Sequence, residues 1–139
     1  MKIDAYLNFD GRCEEAINFY RKALGAEVGM LLRFKEAPPE AQAQMTPGTS
    51  EKVMHAALSV GESTLLMSDG HCTGAQGVFK GISLSLTVQD EAEAQQRYAA
   101  LAEGGQAQLP LHQSFFARSF GMVADRFGVQ WMIIAPIHA

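Results

Sequence analysis

The sequence repeats one plan twice, and this repeat constrains the fold more than any other feature. A strand start, a helix start and the glycine that ends the helix each recur at an offset of 78 or 79 residues. These pairs are Ile3 and Ile82, Cys13 and Glu91, and Gly25 and Gly104. Solenoid repeats have periods of roughly 20 to 50 residues, so this longer period favours two modules that face one another. We therefore predict a cavity between two modules.

The predicted domain is single and spans residues 1–139, with module one at 1–70, a linker at 70–80 and module two at 81–139. A chain of 139 residues buries about two-thirds of the surface that its unfolded form exposes, which is enough for a core without disulfides or a structural metal. Each module reads as a strand, a helix and then further strands. The predicted class is α+β.

Module one alternates between strand and helix periodicity. The helix begins at Cys13, carries acids first and bases last, and ends at Gly25, which we predict to be a left-handed cap. Gly61 and Glu62 form a two-residue loop of the type II′ kind between two strands. Residues 36–51 are polar and contain prolines, so they are interpreted as a mobile flap beside the cavity. The predicted strands are residues 2–9, 27–34, 53–60 and 63–68.

Module two follows a flexible linker, predicted at residues 69–80. Its helix begins at Asp90 with Glu93 three residues later, a pattern that resembles a capping box, and stops at Gly104 and Gly105. The hairpin at residues 114–134 turns at residues 125–128. The other predicted strands are residues 82–88 and a short one near 107–109.

Charge limits the classes of partner that we expect, and cysteine content indicates the cellular compartment. The chain has 11 basic and 15 acidic residues, without a long basic cluster, which argues against nucleic acid or an anionic membrane. It contains two cysteines, shows no targeting stretch and has no apolar run of transmembrane length, so we expect a cytoplasmic protein. A small organic ligand is the expected partner. The sequence has no GxSxG, HExxH, Walker or GxGxxG motif, which weakens hydrolase, zincin and nucleotide-dependent interpretations.

Several motifs, in order along both halves, resemble one family. They are Tyr6-Leu-Asn-Phe-Asp-Gly, Glu15-Ala-Ile-Asn-Phe-Tyr20, Leu24-Gly-Ala-Glu27, His55 with Met67-Ser-Asp69, and Phe120-Gly-Met-Val-Ala-Asp-Arg-Phe-Gly-Val-Gln-Trp-Met132. Together they resemble the PhnB-like branch of the glyoxalase, bleomycin-resistance and extradiol-dioxygenase superfamily, also called vicinal oxygen chelate proteins. The resemblance implies two βαβββ modules that pair curved mixed sheets around a cavity, and a homodimer. Some members carry a demethylubiquinone methyltransferase label, which we do not transfer because so short a chain offers no fold for S-adenosylmethionine.

The resemblance also implies a divalent metal, held by His or Glu side chains from the first strand and a late strand of each module. At those positions this chain has Asp4 or Ala5, Leu66, Ser83 and Met132. Leu66, Ser83 and Met132 are not ordinary ligands of a hard divalent ion. We therefore predict neither a metal site nor a cofactor. An atypical metal held through Asp4 or His55 stays the alternative.

The predicted ligand site combines hydroxyls, amides and one imidazole over an apolar floor. Its residues are Tyr6, Asn8, His55, Ser59, Ser83, Ser85, Gln130 and Met132. His55 is the candidate catalytic residue, as a general base. The structural interpretation, which the sequence favours over catalysis, is a hydrogen bond between His55 and Ser68 across the sheet.

Four other features have a chemical and a structural interpretation. Cys13 begins a helix, where the dipole lowers a thiol pKa, but its place on the apolar stripe favours a packing role. Asp125 fits ordinary turn chemistry, and Trp131 fits the core. The orientation of Phe115, Phe116 and Arg118 stays undecided.

The favoured function is therefore metal-independent binding of a small organic molecule. The alternative is a lyase, isomerase or dioxygenase that uses an atypical metal or His55. Whether the protein is an enzyme is left open by the sequence.

Overall fold

Each half of the chain forms a four-stranded mixed sheet and one long helix. The computed structural model describes residues 1–74 and 78–137. By backbone contacts the chain divides into two compact units, Met1–Gly77 and Val78–Ala139. Residues 75–77, within the predicted linker, lie outside the described residues.

The two units have the same order of elements. The first contains β1 (Ala5–Asn8), α1 (Cys13–Leu24), β2 (Glu27–Arg33), α2 (Pro39–Gln42), β3 (Val53–Val60) and β4 (Ser63–Ser68). The second contains β5 (Leu84–Thr87), α3 (Glu91–Ala102), β6 (Gln106–His112), β7 (Ala117–Ala124) and β8 (Gln130–Pro136). Apart from α2, both units read βαβββ, which confirms the α+β prediction. None of the helices in the described part of the chain is both long and apolar enough to span a membrane.

The strand orders of the two sheets match. The first sheet has the order β1-β4-β3-β2 and the second β5-β8-β7-β6. The first strand of each unit pairs with the last in parallel, and the remaining pairs are antiparallel. A parallel pair needs a long crossover connection, which the helix and the middle strands supply in each unit.

Local signals in the sequence account for the element ends. Gly25 has φ +67°, and its N–H donates to the Tyr20 carbonyl, so α1 ends in a left-handed cap as predicted. Asp90 Oδ1 accepts the Glu93 N–H at 2.8 Å, which caps α3. Gly61 has φ +56° in the two-residue loop between β3 and β4, as a type II′ turn requires.

The structure departs from the predicted elements at several points. β1 begins at Ala5, and Ile3, predicted to lie within the strand, precedes it and is 94% exposed. β6 extends from Gln106 to His112 instead of stopping near residue 109. The predicted flap contains the short helix α2, preceded by a 3-10 turn at Phe34–Glu36.

β6 includes Pro110, which lies within the second of two shifts in the β6–β7 register, between Leu109 and His112. Proline has no backbone N–H and occurs in sheets at edges and bulges. The Tyr98 hydroxyl from α3 lies beside this irregularity, 2.9 Å from the Leu109 carbonyl oxygen and 3.2 Å from that of Met122. The Tyr98 hydroxyl thus supplies a hydrogen-bond donor to backbone carbonyls where the sheet is irregular.

Each unit has its own core on the helix side of its sheet. α1 packs on β3, and its stripe of Cys13, Ala16, Ile17, Tyr20 and Leu24 is buried. In the second unit α3 buries Ala94 and Leu101, while β8 buries Trp131 and Ile133. Trp131 is therefore a core residue, as predicted.

Asp69 is a buried polar anchor, not the first residue of a flexible linker. Only 1% of it is exposed. Its Oδ1 accepts the N–H groups of Gly11 at 2.8 Å and Cys13 at 2.7 Å, and its Oδ2 accepts the Val53 N–H at 2.9 Å. The linker interpretation of this residue was wrong because nothing in the local sequence shows which distant N–H groups a carboxylate will meet.

Asp125 anchors the turn between β7 and β8. Its Oδ1 accepts the N–H groups of Phe127 at 2.9 Å and Val129 at 3.1 Å. Its Oδ2 accepts the indole N–H of Trp131 at 2.9 Å. The predicted turn role is confirmed, and the bond to Trp131 adds a tie between turn and core.

Replacing Asp69 by Asn should destabilise the fold, because an amide NH₂ would then face a backbone N–H in a buried position. We expect Asp69→Asn to lower the free energy of unfolding by about 2–4 kcal/mol. The surface substitution Glu62→Gln removes the same charge from an exposed turn and should change it by less than about 0.5 kcal/mol. Urea unfolding followed by circular dichroism measures both, and equal values for the two variants would contradict the anchor role.

Candidate functional site

The first sheet has one face that carries the predicted polar residues. We call this the open face, formed by Tyr6, Asn8, His55, Ala57, Ser59, Thr64 and Leu66. Register pairs Tyr6 with Leu66 and Leu66 with Ala57, which places them in one row. The alternate residues Leu7, Leu58 and Met67 are buried on the other face. Alternation along the strands thus brings the four predicted residues of this unit to one surface.

Tyr6 and His55 form the one direct contact seen between predicted site residues in the described part of this unit. The Tyr6 hydroxyl lies 3.0 Å from His55 Nδ1. The ring centroids are 5.6 Å apart and tilted by 36°. Tyr6 is 46% exposed, so the pair is open to an incoming molecule. The structure brings these two side chains together across β4.

The favoured structural interpretation of His55, a hydrogen bond to Ser68, was wrong in its partner. Ser68 Oγ instead accepts the Gly70 N–H at 2.9 Å. His55 and Ser68 lie one step beyond the Ala56–Met67 pair, but the imidazole bonds to Tyr6. Tyr6 lies on β1, on the other side of β4 from His55, and its long side chain reaches the imidazole. A prediction from the neighbouring strands β3 and β4 alone does not include this contact.

We assign the donor and the acceptor of this pair from the chemistry of the two groups. A phenol hydroxyl donates readily, and a neutral imidazole accepts at one nitrogen while carrying a proton on the other. With Tyr6 donating to Nδ1, the proton of His55 lies on Nε2. His55 can then donate to a ligand from Nε2, or exchange a proton with it.

The second unit carries the other predicted residues, which are Ser83, Ser85, Gln130 and Met132. Ser85 pairs with Met132, and Met132 pairs with Met122 on β7. Gln130 pairs with Ala124, while Ser83 precedes β5. Gln130 and Met132 alternate with the buried Trp131, as predicted.

Aromatic side chains next to these residues were not predicted as a group. Phe116 lies 5.1 Å from Phe120 and 5.2 Å from Phe115 between ring centroids, and His112 lies 5.9 Å from Phe120. Phe115, Phe116 and Arg118 are all exposed, which resolves their orientation. Ala117 and Ser119 are buried around a register shift, and this bulge is why alternation could not decide.

The residues at the usual metal-binding positions do not fit a divalent ion. Leu66 and Met132 occupy central register positions of their sheets and offer no oxygen or nitrogen. The Asp4 carboxylate lies 3.5 Å from the Lys2 ammonium. Across residues 1–74 and 78–137, no three His, Cys, Asp or Glu side chains group as metal ligands would.

Cys13 is a core residue and not a reactive thiolate. Burial, followed by the Asp69 carboxylate, raises the pKa of the Cys13 thiol far above its ordinary value. Burial and Asp69 also raise the pKa of Cys72. The favoured packing role of Cys13 is confirmed by its complete burial, and loss of solvent around the sulfur opposes the effect of the helix dipole on its pKa.

One family model and one known protein each match nearly the whole chain. The model of the family described as 3-demethylubiquinone-9 3-methyltransferase matches residues 1–134. Protein YjdN of Escherichia coli K12 is 34% identical over 139 residues, covering 96% of this chain and 94% of that protein.

Solved structures agree in fold along the whole chain. Protein PA1353 from Pseudomonas aeruginosa has a TM-score of 0.85 at 41% identity, covering 98% of each chain. A protein from Bacillus cereus, titled putative 3-demethylubiquinone-9 3-methyltransferase, PhnB protein, has a TM-score of 0.79 at 27% identity, covering 97% of this chain and 99% of that one. A glyoxylase/bleomycin resistance protein/dioxygenase domain from Frankia sp. EAN1pec has a TM-score of 0.65 at 14% identity, covering 98% and 97%, and shares the fold.

Two histidines should differ in the nitrogen that carries the proton. His112 Nδ1 lies 2.9 Å from the Pro110 carbonyl, which can only accept, so its proton is on Nδ1. We expect neutral His55 to carry its proton on Nε2 and to lose this preference in Tyr6→Phe, while His112 is unchanged. Long-range ¹H–¹⁵N spectra of the imidazoles measure both. An Nδ1 proton on His55 in the unaltered protein would contradict the assigned donor.

The two thiols should differ in accessibility. Cys13 is fully buried and Cys72 is partly exposed. At pH 8 in native buffer, Ellman's reagent should label Cys72 slowly and leave Cys13 unlabelled until urea is added, because thiolate formation needs solvent at the sulfur. Cys72→Ser should then show no native labelling. Rapid labelling of that variant would place a reactive thiol at Cys13.

Proposed function

The chain belongs to the 3-demethylubiquinone-9 3-methyltransferase family, within the glyoxalase and bleomycin-resistance superfamily, and we propose that it binds a small organic molecule without a metal ion. The open face of the first sheet is the proposed binding surface. The observation that carries this proposal is the hydrogen bond between the exposed Tyr6 and His55.

The chemistry of the open face supports ligand binding. Leu66 and Ala57 supply an apolar floor beside the Tyr6–His55 pair, and Ser59 and Asn8 supply polar groups at its edges. An apolar surface with a few placed polar groups is the usual make-up of a small-molecule site. In the second unit Ser83, Ser85, Gln130 and Met132 stay the predicted ligand residues.

Metal independence is part of the proposal and rests on the donor set. A catalytic divalent site needs about three imidazole or carboxylate ligands around an open position. Leucine and methionine stand where the superfamily's late-strand ligands are expected, so the ligand is proposed to be held by hydrogen bonds and apolar contacts. The cation-holding alternative would need Asp4 or His55 as a ligand.

The family description names a methyltransferase, and this activity is not part of the proposal. Binding of S-adenosylmethionine through a dinucleotide-type fold would need an open parallel sheet and a glycine-rich loop after the first strand. Here the first strand is followed by Phe9-Asp-Gly-Arg-Cys13, and each sheet has four mixed strands. Both observations support binding rather than methyl transfer.

A second candidate function is proton transfer by the Tyr6–His55 pair. The hydrogen bond holds the imidazole through Nδ1 and leaves Nε2 to act as an acid or base. An isomerase or lyase acting next to a carbonyl would use such a group. The test is deuterium incorporation into hydroxyacetone in D₂O, which should exceed the buffer rate and be lost in His55→Gln if this function is correct.

Homodimer formation and a cytoplasmic location also stay predictions. The family resemblance is the basis for the dimer, and the cysteine and charge pattern is the basis for the location. Light scattering on the purified protein tests the first of these, and a mass equal to one chain would contradict it.

The binding proposal is tested by purifying the protein without chelator, measuring bound metal and screening an uncharged fragment set by NMR. We expect metal well below one ion per chain, unchanged fragment binding after EDTA, and fragments that shift signals of Tyr6 and His55. His55→Gln should weaken these fragments about tenfold, which corresponds to loss of about one hydrogen bond. His112→Gln, a histidine on the other unit, is the control.

One ion per chain that is released by substitution of Asp4 or His55 would defeat metal independence. Fragment binding that is identical in His55→Gln and the unaltered protein would contradict the proposal that the open face is the binding surface.

A further inference from the structure

The first unit contains a second concave site that the open face does not include. A pocket of about 300 Å³ lies between the segment that carries α2 and the end of β4. Phe34, Ala41 and Met45 line it with apolar surface, and Thr49, Ser68 and His71 line it with polar groups. Its volume is at the lower end of small-molecule sites, which begin at about 300 Å³.

The segment that covers this pocket is held by side-chain bonds to backbone oxygens. Gln42 Nε2 donates to the carbonyls of Lys35 at 2.9 Å and Ala37 at 2.6 Å. Thr46 Oγ1 donates to the His71 carbonyl at 2.7 Å, which ties the segment to the chain after β4. These bonds hold the segment against the chain that follows β4, and the pocket lies between them.

The lining selects against charge. It includes neither a carboxylate nor an ammonium or guanidinium group. The nearest lysines along the chain are engaged elsewhere, since Lys35 pairs with Glu51 at 3.0 Å and Lys52 donates to the Gly11 carbonyl at 2.9 Å. A charged ligand group would lose water without gaining a counter-charge here.

Ser68 supplies a directed polar contact. Its Oγ is buried and accepts the Gly70 N–H at 2.9 Å, so its own proton is left to donate. Thr49 Oγ1 uses its proton on the Thr46 carbonyl at 2.6 Å. The hydroxyl of Ser68 thus matches an acceptor oxygen on a bound molecule.

We propose that this pocket binds an uncharged molecule that combines a flat apolar group with an acceptor oxygen. The apolar group packs on Phe34, Ala41 and Met45, and the oxygen accepts from Ser68. The pocket lies next to the open face, because Ser68 pairs with Asn8. Its proposed ligand contacts do not include Tyr6 or His55.

Benzamide and benzoate are the probes, because they share a ring and differ in charge. In ¹H–¹⁵N spectra, benzamide should shift the backbone signals of Thr46, Thr49, Gly70 and His71. Benzoate should bind at least about tenfold more weakly, because its carboxylate lacks a partner in the pocket. Equal affinities would overturn the selection for uncharged ligands.

The position of the site is tested by two alanines on one segment. Ala41 lines the pocket and Ala43 does not, and both are exposed, so neither substitution disturbs the core. Ala41→Phe should abolish the benzamide shifts, and Ala43→Phe should keep them. Loss of binding in both variants, or shifts confined to Tyr6 and His55, would overturn the proposed pocket while leaving the open-face proposal standing. A titration without shifts at the four signals would overturn it as well.

Discussion

The first unit depends on the Asp69 carboxylate and the three backbone N–H groups that it accepts. These donors belong to the loop before α1, the first turn of α1 and the start of β3, and Asp69 itself follows β4. A buried carboxylate is costly unless such charge-assisted bonds replace its water. Because one side chain joins four parts of the unit, it also fixes where β1 and β3 lie relative to β4. The Tyr6–His55 contact across β4 follows from that placement.

The second unit also contains a buried carboxylate that accepts several hydrogen bonds, but at a different position in the unit. Asp125 lies in the β7–β8 turn and binds two N–H groups of that turn and the Trp131 indole. The two units therefore share strand order but not the position of their buried acid. Strand order follows from the apolar pattern that both halves repeat, whereas a buried carboxylate needs only a cluster of unsatisfied donors. Such clusters arise wherever a loop leaves the sheet.

Much of the fold could be predicted from local patterns. Alternation, helix periodicity and the caps at Gly25 and Asp90 act over a few residues, and each can be read from the sequence. The register of Ala57 with Leu66 could be derived as well, because a two-residue loop fixes the pairing of its strands. Ile3 and the end of β6 were misjudged, since strand length depends on the partner strand.

The site was harder to predict than the fold. Alternation placed Tyr6 and His55 on one face, but the bond between them spans an intervening strand and depends on side-chain reach. The apolar stripe correctly indicated that Cys13 packs in the core, but the effect of the Asp69 carboxylate on the pKa of its thiol comes from a residue distant in sequence. The pocket beside α2 requires the three-dimensional course of a segment whose composition indicated only a loop.

The bulge at Pro110 affects how this protein behaves at high concentration. β6 is the last strand in the order of its sheet, and a regular outer strand offers a template on which another extended chain can add. Pro110 removes one backbone N–H donor from β6, and the shifted register bends the rest of this strand. Growth of intermolecular β-structure, the first step toward fibrils, is thus discouraged along this border of the molecule.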